Sequence, residues 1–138
     1  MLYEDDVTDA VCAELEVRGW SIHQRLRSTE RGDDIVASRS DQHLVIECKG
    51  ETSANATTSR YGQPFSPSQV NSHVSRAMLR AMRVVSDGHL AGVAFPDERL
   101  HRREVERVRI AVERLGVVVF WVARDRNTRI DVPAGVKI

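Results

Sequence analysis

The spacing of apolar residues predicts a helix at the start of the chain. Val7, Ala10, Val11 and Leu15 recur at helical intervals between about Tyr3 and Val17, and Gly19 follows as a terminating glycine. From Trp20 to Arg27 the period drops to two. Trp20, Ile22, Gln24 and Leu26 are set against Ser21, His23, Arg25 and Arg27, as in a strand covered on one face. Two short apolar runs come next, Ile35 to Ala37 and Leu44 to Ile46, with the polar turn formers Arg39 to Gln42 between them. A hairpin folding about Ser40 and Asp41 brings Ile35 opposite Ile46 and Asp34 opposite Glu47.

Residues 50–68 are small and polar and show no period. A long stretch of this kind inside a compact domain is either functional or mobile. Ser66 and Pro67 read as an N-cap and first helical residue, opening a helix to about Val85 whose stripe is Val70, Val74, Ala77, Met78, Ala81 and Val85. His89 to Phe95 is a strand buried on both sides. Pro96 and Asp97 open one continuous helix to Leu115, with Leu100, Val105, Val108, Val112 and Leu115 inward and Gly116 closing it. Val117 to Ala123 is the most hydrophobic run and predicts a central strand, and Arg129 to Val132 a short edge strand. The main order is α-β-β-β-α-β-α-β, an α/β domain with a mixed sheet flanked by helices.

Composition narrows the class. With 138 residues, 41% hydrophobic and 29% charged, the chain suits a single globular domain, residues 1–138, with one buried interior. No apolar run approaches the roughly 18 residues of a membrane span, and the acidic MLYEDDVTDA start is unlike a secretory signal. The expectation is a cytoplasmic protein with no membrane partner. Cys12 and Cys48 lack CxxC spacing and lie in apolar runs, so they read as reduced packing residues. The five histidines show no HxH or HExxH spacing, and neither a glycine-rich phosphate loop nor a GxSxG elbow occurs. Net charge is zero, but six acids and no Lys or Arg fall within residues 1–17, leaving six excess positive charges on the rest. That imbalance favours contact with a polyanion. Along the helix after Pro96, Arg102, Arg103, Arg107, Arg109 and Arg114 interleave with Glu98, Glu104, Glu106 and Glu113, which marks a solvated ion-paired face and not a groove binder.

The candidate chemistry sits at the end of the hairpin. Directly opposed side chains in an antiparallel pair have Cβ atoms roughly 4.5–5.5 Å apart, where like charges destabilise. Asp34 and Glu47 therefore call for a counter-charge. Alternation puts Lys49 on the face of Glu47 and turns Ile46 and Cys48 the other way. Two acids and a lysine at the end of an apolar hairpin suit a hard divalent cation and an anionic substrate. Mg²⁺ uses one or two carboxylates and completes its shell with water and phosphate oxygens.

These residues carry a family likeness. GDDIVA followed by LVIECKG resembles the PD-(D/E)xK nuclease superfamily, the restriction-endonuclease-like group that includes Holliday-junction resolvases and Mrr-type enzymes. Asp34 matches the motif aspartate, Glu47 and Lys49 the ExK pair, and the carbonyl of Cys48 the backbone metal ligand between them. Asp33 stands where the motif has proline. The resemblance implies a single three-layer domain and a Mg²⁺- or Mn²⁺-dependent nuclease that hydrolyses phosphodiester bonds, in DNA before other nucleic acids. Asp34 and Glu47 would hold the cation, and Lys49 would position the attacking water. It also implies that the connection Ser28 to Arg31 approaches the substrate backbone, and that an acid from the first helix assists the metal. Thr8 occupies the position expected for that acid, which leaves Glu4 and Glu14 both open, or neither.

On the helix after ExK, Gln69 matches a family glutamine, with His73 in place of the tyrosine four residues later. Gln69 would orient a phosphate or a metal-bound water, or is only an exposed first-turn residue. In the loop, Arg60 would supply charge and Tyr61 or Phe65 a stacking surface, or the aromatic rings dock on the core. Specificity would come from loops, from a second copy in a homodimer, or from another protein. Two rivals stand beside the nuclease: a catalytically inert nucleic-acid-binding or assembly module on the same fold, and an unrelated α/β domain in which Asp34 and Glu47 lie far apart.

Overall fold

In the computed structural model, which describes residues 1–138 apart from positions 54, 58 and 60, ten elements follow one another. They are α1 (Glu4–Val17), β1 (Ser21–Arg25), β2 (Ile35–Arg39), β3 (Gln42–Cys48), α2 (Pro67–Ser86), β4 (Leu90–Pro96), α3 (Arg99–Glu106), α4 (Arg109–Leu115), β5 (Val118–Val122) and β6 (Thr128–Asp131). The strands form one six-stranded sheet in the order β1-β2-β3-β4-β5-β6. β3, β4 and β5 run parallel, and the remaining neighbours pair antiparallel. The sheet is therefore mixed, with an α/β arrangement around it.

The hairpin has the register that its apolar pattern predicts. Ile35 pairs with Ile46, Val36 with Val45 and Ala37 with Leu44. Ser40 turns the chain with φ of 52°. Because side chains alternate, Ile35, Ala37, Leu44, Ile46 and Cys48 pack with α1 residues Val7, Val11, Cys12 and Leu15 in one core. The second core, on the opposite face, joins α2 (Val70, Val74, Ala77, Ala81) to Ala91, Val93, Phe95, Val119 and Trp121, with Val105 and Val112 from α3 and α4. β4 and β5 contribute alternate residues to both cores, so every one of their side chains needs to be apolar or small. That requirement explains the continuous apolar runs LAGVAF and VVFWV.

Three expectations change. The single helix after Pro96 is two, broken at Arg107 and Val108 by a tight turn in which the Val108 N–H reaches the Val105 carbonyl at 3.0 Å. Val105 and Val112 are buried, while Val108 and Leu115 are about 40% exposed, so the predicted stripe is only half used. No glycine or proline marks the break, and residues on both sides favour a helix; the fit of each half to the sheet overrides that local preference. The element order is accordingly α-β-β-β-α-β-α-α-β-β. The first strand is shorter than its alternating pattern, because the register shifts between Ile22 and Gln24. Residues 50–65 also contain isolated bridges, Thr52 with Pro64 and Ser53 with Tyr61.

Candidate active site

Local bonding holds Asp34 in place just beyond the β2 ladder. The Leu26 N–H donates to the Asp34 carbonyl at 2.9 Å, and the Gln24 side-chain amide donates to the Asp33 carbonyl at 2.6 Å. From α2, Arg80 grips the Asp33 carboxylate through Nε at 2.7 Å and a terminal nitrogen at 2.6 Å. Asp33 thus fixes the turn that presents its neighbour. The Asp34 side chain is buried, and its Oδ2 accepts the Cys48 N–H at 2.7 Å. This contact ties the aspartate to the strand that carries Glu47 and Lys49.

Lys49 leaves the end of β3, where its N–H extends the parallel ladder to the Ala94 carbonyl at 3.0 Å. Its ammonium lies 3.5 Å from Glu47 Oε1, and both side chains are largely enclosed. Gly50 then brings α1 to the site. A Cβ there would lie 2.5 Å from the Glu4 nitrogen and 2.8 Å from the Tyr3 carbonyl carbon, a contact that a side chain cannot make. The Glu51 N–H bonds the Leu2 carbonyl at 2.9 Å, so the start of α1 is stitched to the strand end. Glu4 is placed at the site by this close approach. Glu14, the other first-helix candidate, pairs instead with Arg18 at 2.9 Å on the surface. Thr8 is buried and its hydroxyl donates to the Glu4 carbonyl at 3.0 Å.

Three carboxyl groups share one ammonium. Burial pushes Asp34 up to about 7; the Cys48 N–H opposes the shift, while Glu47 and Glu4 add to it and Lys49 offsets part of it. Glu47 and Glu4 are also raised, each mainly by burial and each held back by Lys49. Asp33 adds to the shift of Glu47, and Arg80 opposes it. Burial keeps the Cys48 thiol well above its ordinary range and raises that of Cys12, so both stay protonated packing groups. The protein has left excess negative charge poorly solvated here, a condition that a bound cation relieves.

The donors are hard oxygens, which suits Mg²⁺ or Mn²⁺. Among the described residues no three His, Cys, Asp or Glu side chains form a ready-made metal-binding group. The set fits a cation that keeps much of its water and takes two carboxylates, Asp34 and Glu47.

A cavity of about 760 Å³ opens beside Lys49, lined also by Glu4, Ser28, Thr29, Phe65, His73 and Arg76. Ser28 and Thr29, the first two residues of the connection Ser28 to Arg31, are among these lining residues. Gln69 does not line the cavity. Its Oε1 accepts the Ser66 N–H at 2.8 Å and its own N–H donates to Ser66 Oγ at 3.2 Å, so it serves as the reciprocal partner of the helix cap. Tyr61 is half exposed and does not line the cavity either, whereas Phe65 does. Arg60 lies outside the described residues.

Comparison with known proteins adds a distant structural likeness. No family model matches the chain, and no curated protein sequence matches it. The solved structure of Pyrococcus furiosus SfsA in complex with Ca²⁺ is similar at 16% sequence identity and a TM-score of 0.44, over 95% of this chain. The chain spans 62% of the length of that protein.

Sequence reasoning missed Arg80 and left Glu4 unchosen. A second cavity, about 400 Å³, lies between the α3–α4 pair and β5–β6, but its arginines are already matched: Arg102 with Asp97, Arg109 with Glu106 and Arg129 with Asp131. Arg76, in contrast, has no hydrogen-bond or ion-pair partner among the described residues. Arg31, Arg83, Arg99 and Arg114 likewise show none, but of these arginines Arg76 is the one that lines the cavity beside Lys49.

Proposed function

We propose that the protein is a metal-dependent nuclease of the PD-(D/E)xK type, acting on phosphodiester bonds in DNA through Asp34, Glu47 and Lys49, with Glu4 as the acid contributed by the first helix. One observation carries the reading: the Cys48 N–H ties the Asp34 carboxyl to the strand of Glu47 and Lys49 at 2.7 Å, Lys49 lies 3.5 Å from Glu47, and Lys49 with Glu4 lines an open cavity. A merely structural cluster would be expected to balance its charges. The placement of one helix core on one sheet face and a second on the other agrees with the three-layer, restriction-endonuclease-like arrangement that the motif implies.

When bound, Mg²⁺ or Mn²⁺ polarises the phosphate and lowers the pKa of a coordinated water. Asp34 and Glu47 would hold it, with the Cys48 N–H fixing the Asp34 rotamer. Lys49, close to Glu47, would orient the attacking water and stabilise charge that develops on the phosphate oxygens. Glu4 would add negative charge on the α1 side of Lys49. Arg80 acts one step further out, holding Asp33 and hence the Asp34 turn.

The test is a cleavage panel over duplex, single-stranded, branched and RNA substrates, with Mg²⁺, Mn²⁺ and chelator. Cleavage should require metal and stop with chelator. Asp34→Ala, Glu47→Ala and Lys49→Ala should each lower the rate by on the order of 10³-fold while retaining the fold. Persistence of cleavage in all three variants would end this mechanism. Binding without cleavage on every substrate would favour an inert module instead.

A further inference from the structure

The cavity beside Lys49 has a wall on α2 that the proposed chemistry does not use. His73 and Arg76 lie one helical turn apart on this wall, facing Lys49 and Glu4 across the opening. No described residue hydrogen-bonds to His73. Its Nδ1 is sealed from solvent without a partner, so the ring nitrogen left open to the cavity is Nε2. Phe65 packs edge-on against the imidazole, with ring centroids 4.5 Å apart, and fixes the ring plane.

A buried Nδ1 with no acceptor is a poor place for a proton, which leaves the proton on Nε2. Burial lowers the pKa of His73, and Lys49, His101 and Arg76 lower it further, so the ring is a neutral donor around pH 7. An Nε2–H donor next to an unpaired guanidinium suits phosphate oxygens. The hydroxyls of Ser28 and Thr29 line the same space.

The shape then limits what can enter. About 760 Å³ lies within the roughly 300–1,000 Å³ of small-ligand sites. The cavity is open on one side with room for one strand, and an unpaired base on that strand can reach the Phe65 ring on its wall, which a base stacked inside a duplex cannot. We infer that this cavity takes one unpaired DNA strand, with His73 Nε2 and Arg76 holding a backbone phosphate next to the one that Lys49 faces. Phe65 offers part of a ring to a splayed base. The inference rests on the nuclease reading for its substrate class, and it makes His73 and Arg76 positioning residues.

The experiment is fluorescence anisotropy of the full chain in chelator, with a labelled single-stranded oligonucleotide and the blunt duplex of the same sequence. The single strand should bind at least about tenfold more tightly, a difference of about 1.4 kcal/mol. His73→Ala and Arg76→Ala should each weaken single-strand binding about fivefold and leave duplex binding unchanged, and His73→Gln, which keeps a donor near the Nε2 position, should restore it to within about twofold. Equal or tighter duplex binding would overturn the inference. Full affinity in both alanine variants would do the same. Should His73→Ala melt early, Arg76→Ala at its exposed position carries the comparison alone. Selective single-strand binding with no metal-dependent cleavage would leave the cavity assignment standing and end the nuclease reading. Metal-dependent cleavage of intact duplex, with no preference for single strands in binding or rate, would do the reverse.

Discussion

Two enclosed carboxylates in this protein have been moved in opposite directions. Glu98, at the start of α3, lies at about 2, and Asp34, at the end of the hairpin, at about 7. Burial raises both. The difference lies in what surrounds them. Glu98 receives the N–H groups of Leu100 at 2.9 Å and His101 at 2.8 Å, and it contacts the buried His101 ring through Nδ1. Asp34 receives a single N–H, from Cys48, and faces Glu47 and Glu4 with only a shared lysine in compensation. The first is a satisfied helix cap that stabilises the fold. The second is a buried carboxyl with little compensation, the kind of group that the proposed metal site would use.

The largest effect should come from Asp34→Asn. The amide keeps an acceptor for the Cys48 N–H and removes the raised acid, so the metal-free protein should gain about 2–4 kcal/mol at pH 7 in denaturant unfolding while cleavage is lost. The sign follows from proton binding. With a folded pKa near 7 against 3.8 unfolded, the native state holds the extra proton between these values, so Asp34 makes the metal-free protein less stable as pH rises across that window. Glu98 contributes the opposite slope: its stabilisation is present above about 4.5 and is lost as pH falls toward 2. Unfolding of the wild type and of Asp34→Asn from pH 4 to 8 checks the Asp34 slope; identical slopes would refute it.

Glu98→Ala comes next. It removes the α3 cap and leaves His101, which is fully buried, without its partner, at an expected loss of about 2–3 kcal/mol by urea unfolding. The ratio of cleavage rates at saturating metal should barely change below the melting transition. Gly50→Ala should cost about 1–3 kcal/mol, because α1 has to retreat from the strand end. It should also reduce cleavage, since Glu4 moves away from Lys49, and a melting curve paired with a rate measurement separates the two effects. Smallest is Arg80→Ala, which releases a partly exposed pair and should lower stability by under about 1 kcal/mol while reducing the rate several-fold through a looser Asp34 turn. An unchanged rate would remove that positioning role.

Much of this arrangement was legible in the residues. The hairpin register followed from two apolar triplets and a polar turn, and α2 from Ser66, Pro67 and a stripe at helical spacing. In both cases neighbours in sequence carry the signal. The selection of Glu4 over Glu14 was not legible, because it depends on α1 meeting Gly50 across the fold. Arg80 was not legible either, because its partner Asp33 lies 47 residues away in the chain. The division of α3 from α4 has no local marker. Gln69 shows the converse: its position suggested the site, but Ser66, three residues earlier, takes its side chain.

In the proposed site the carboxylates of residues 34 and 47 are short of positive charge, which a divalent cation would supply. A carboxyl-carbon NMR titration of Asp34, with and without Mg²⁺, measures this most directly. The expected apparent pKa is about 7 in chelator, falling to below roughly 4 with saturating Mg²⁺. A value at the ordinary aspartate position in chelator, or one that Mg²⁺ does not move, would contradict it.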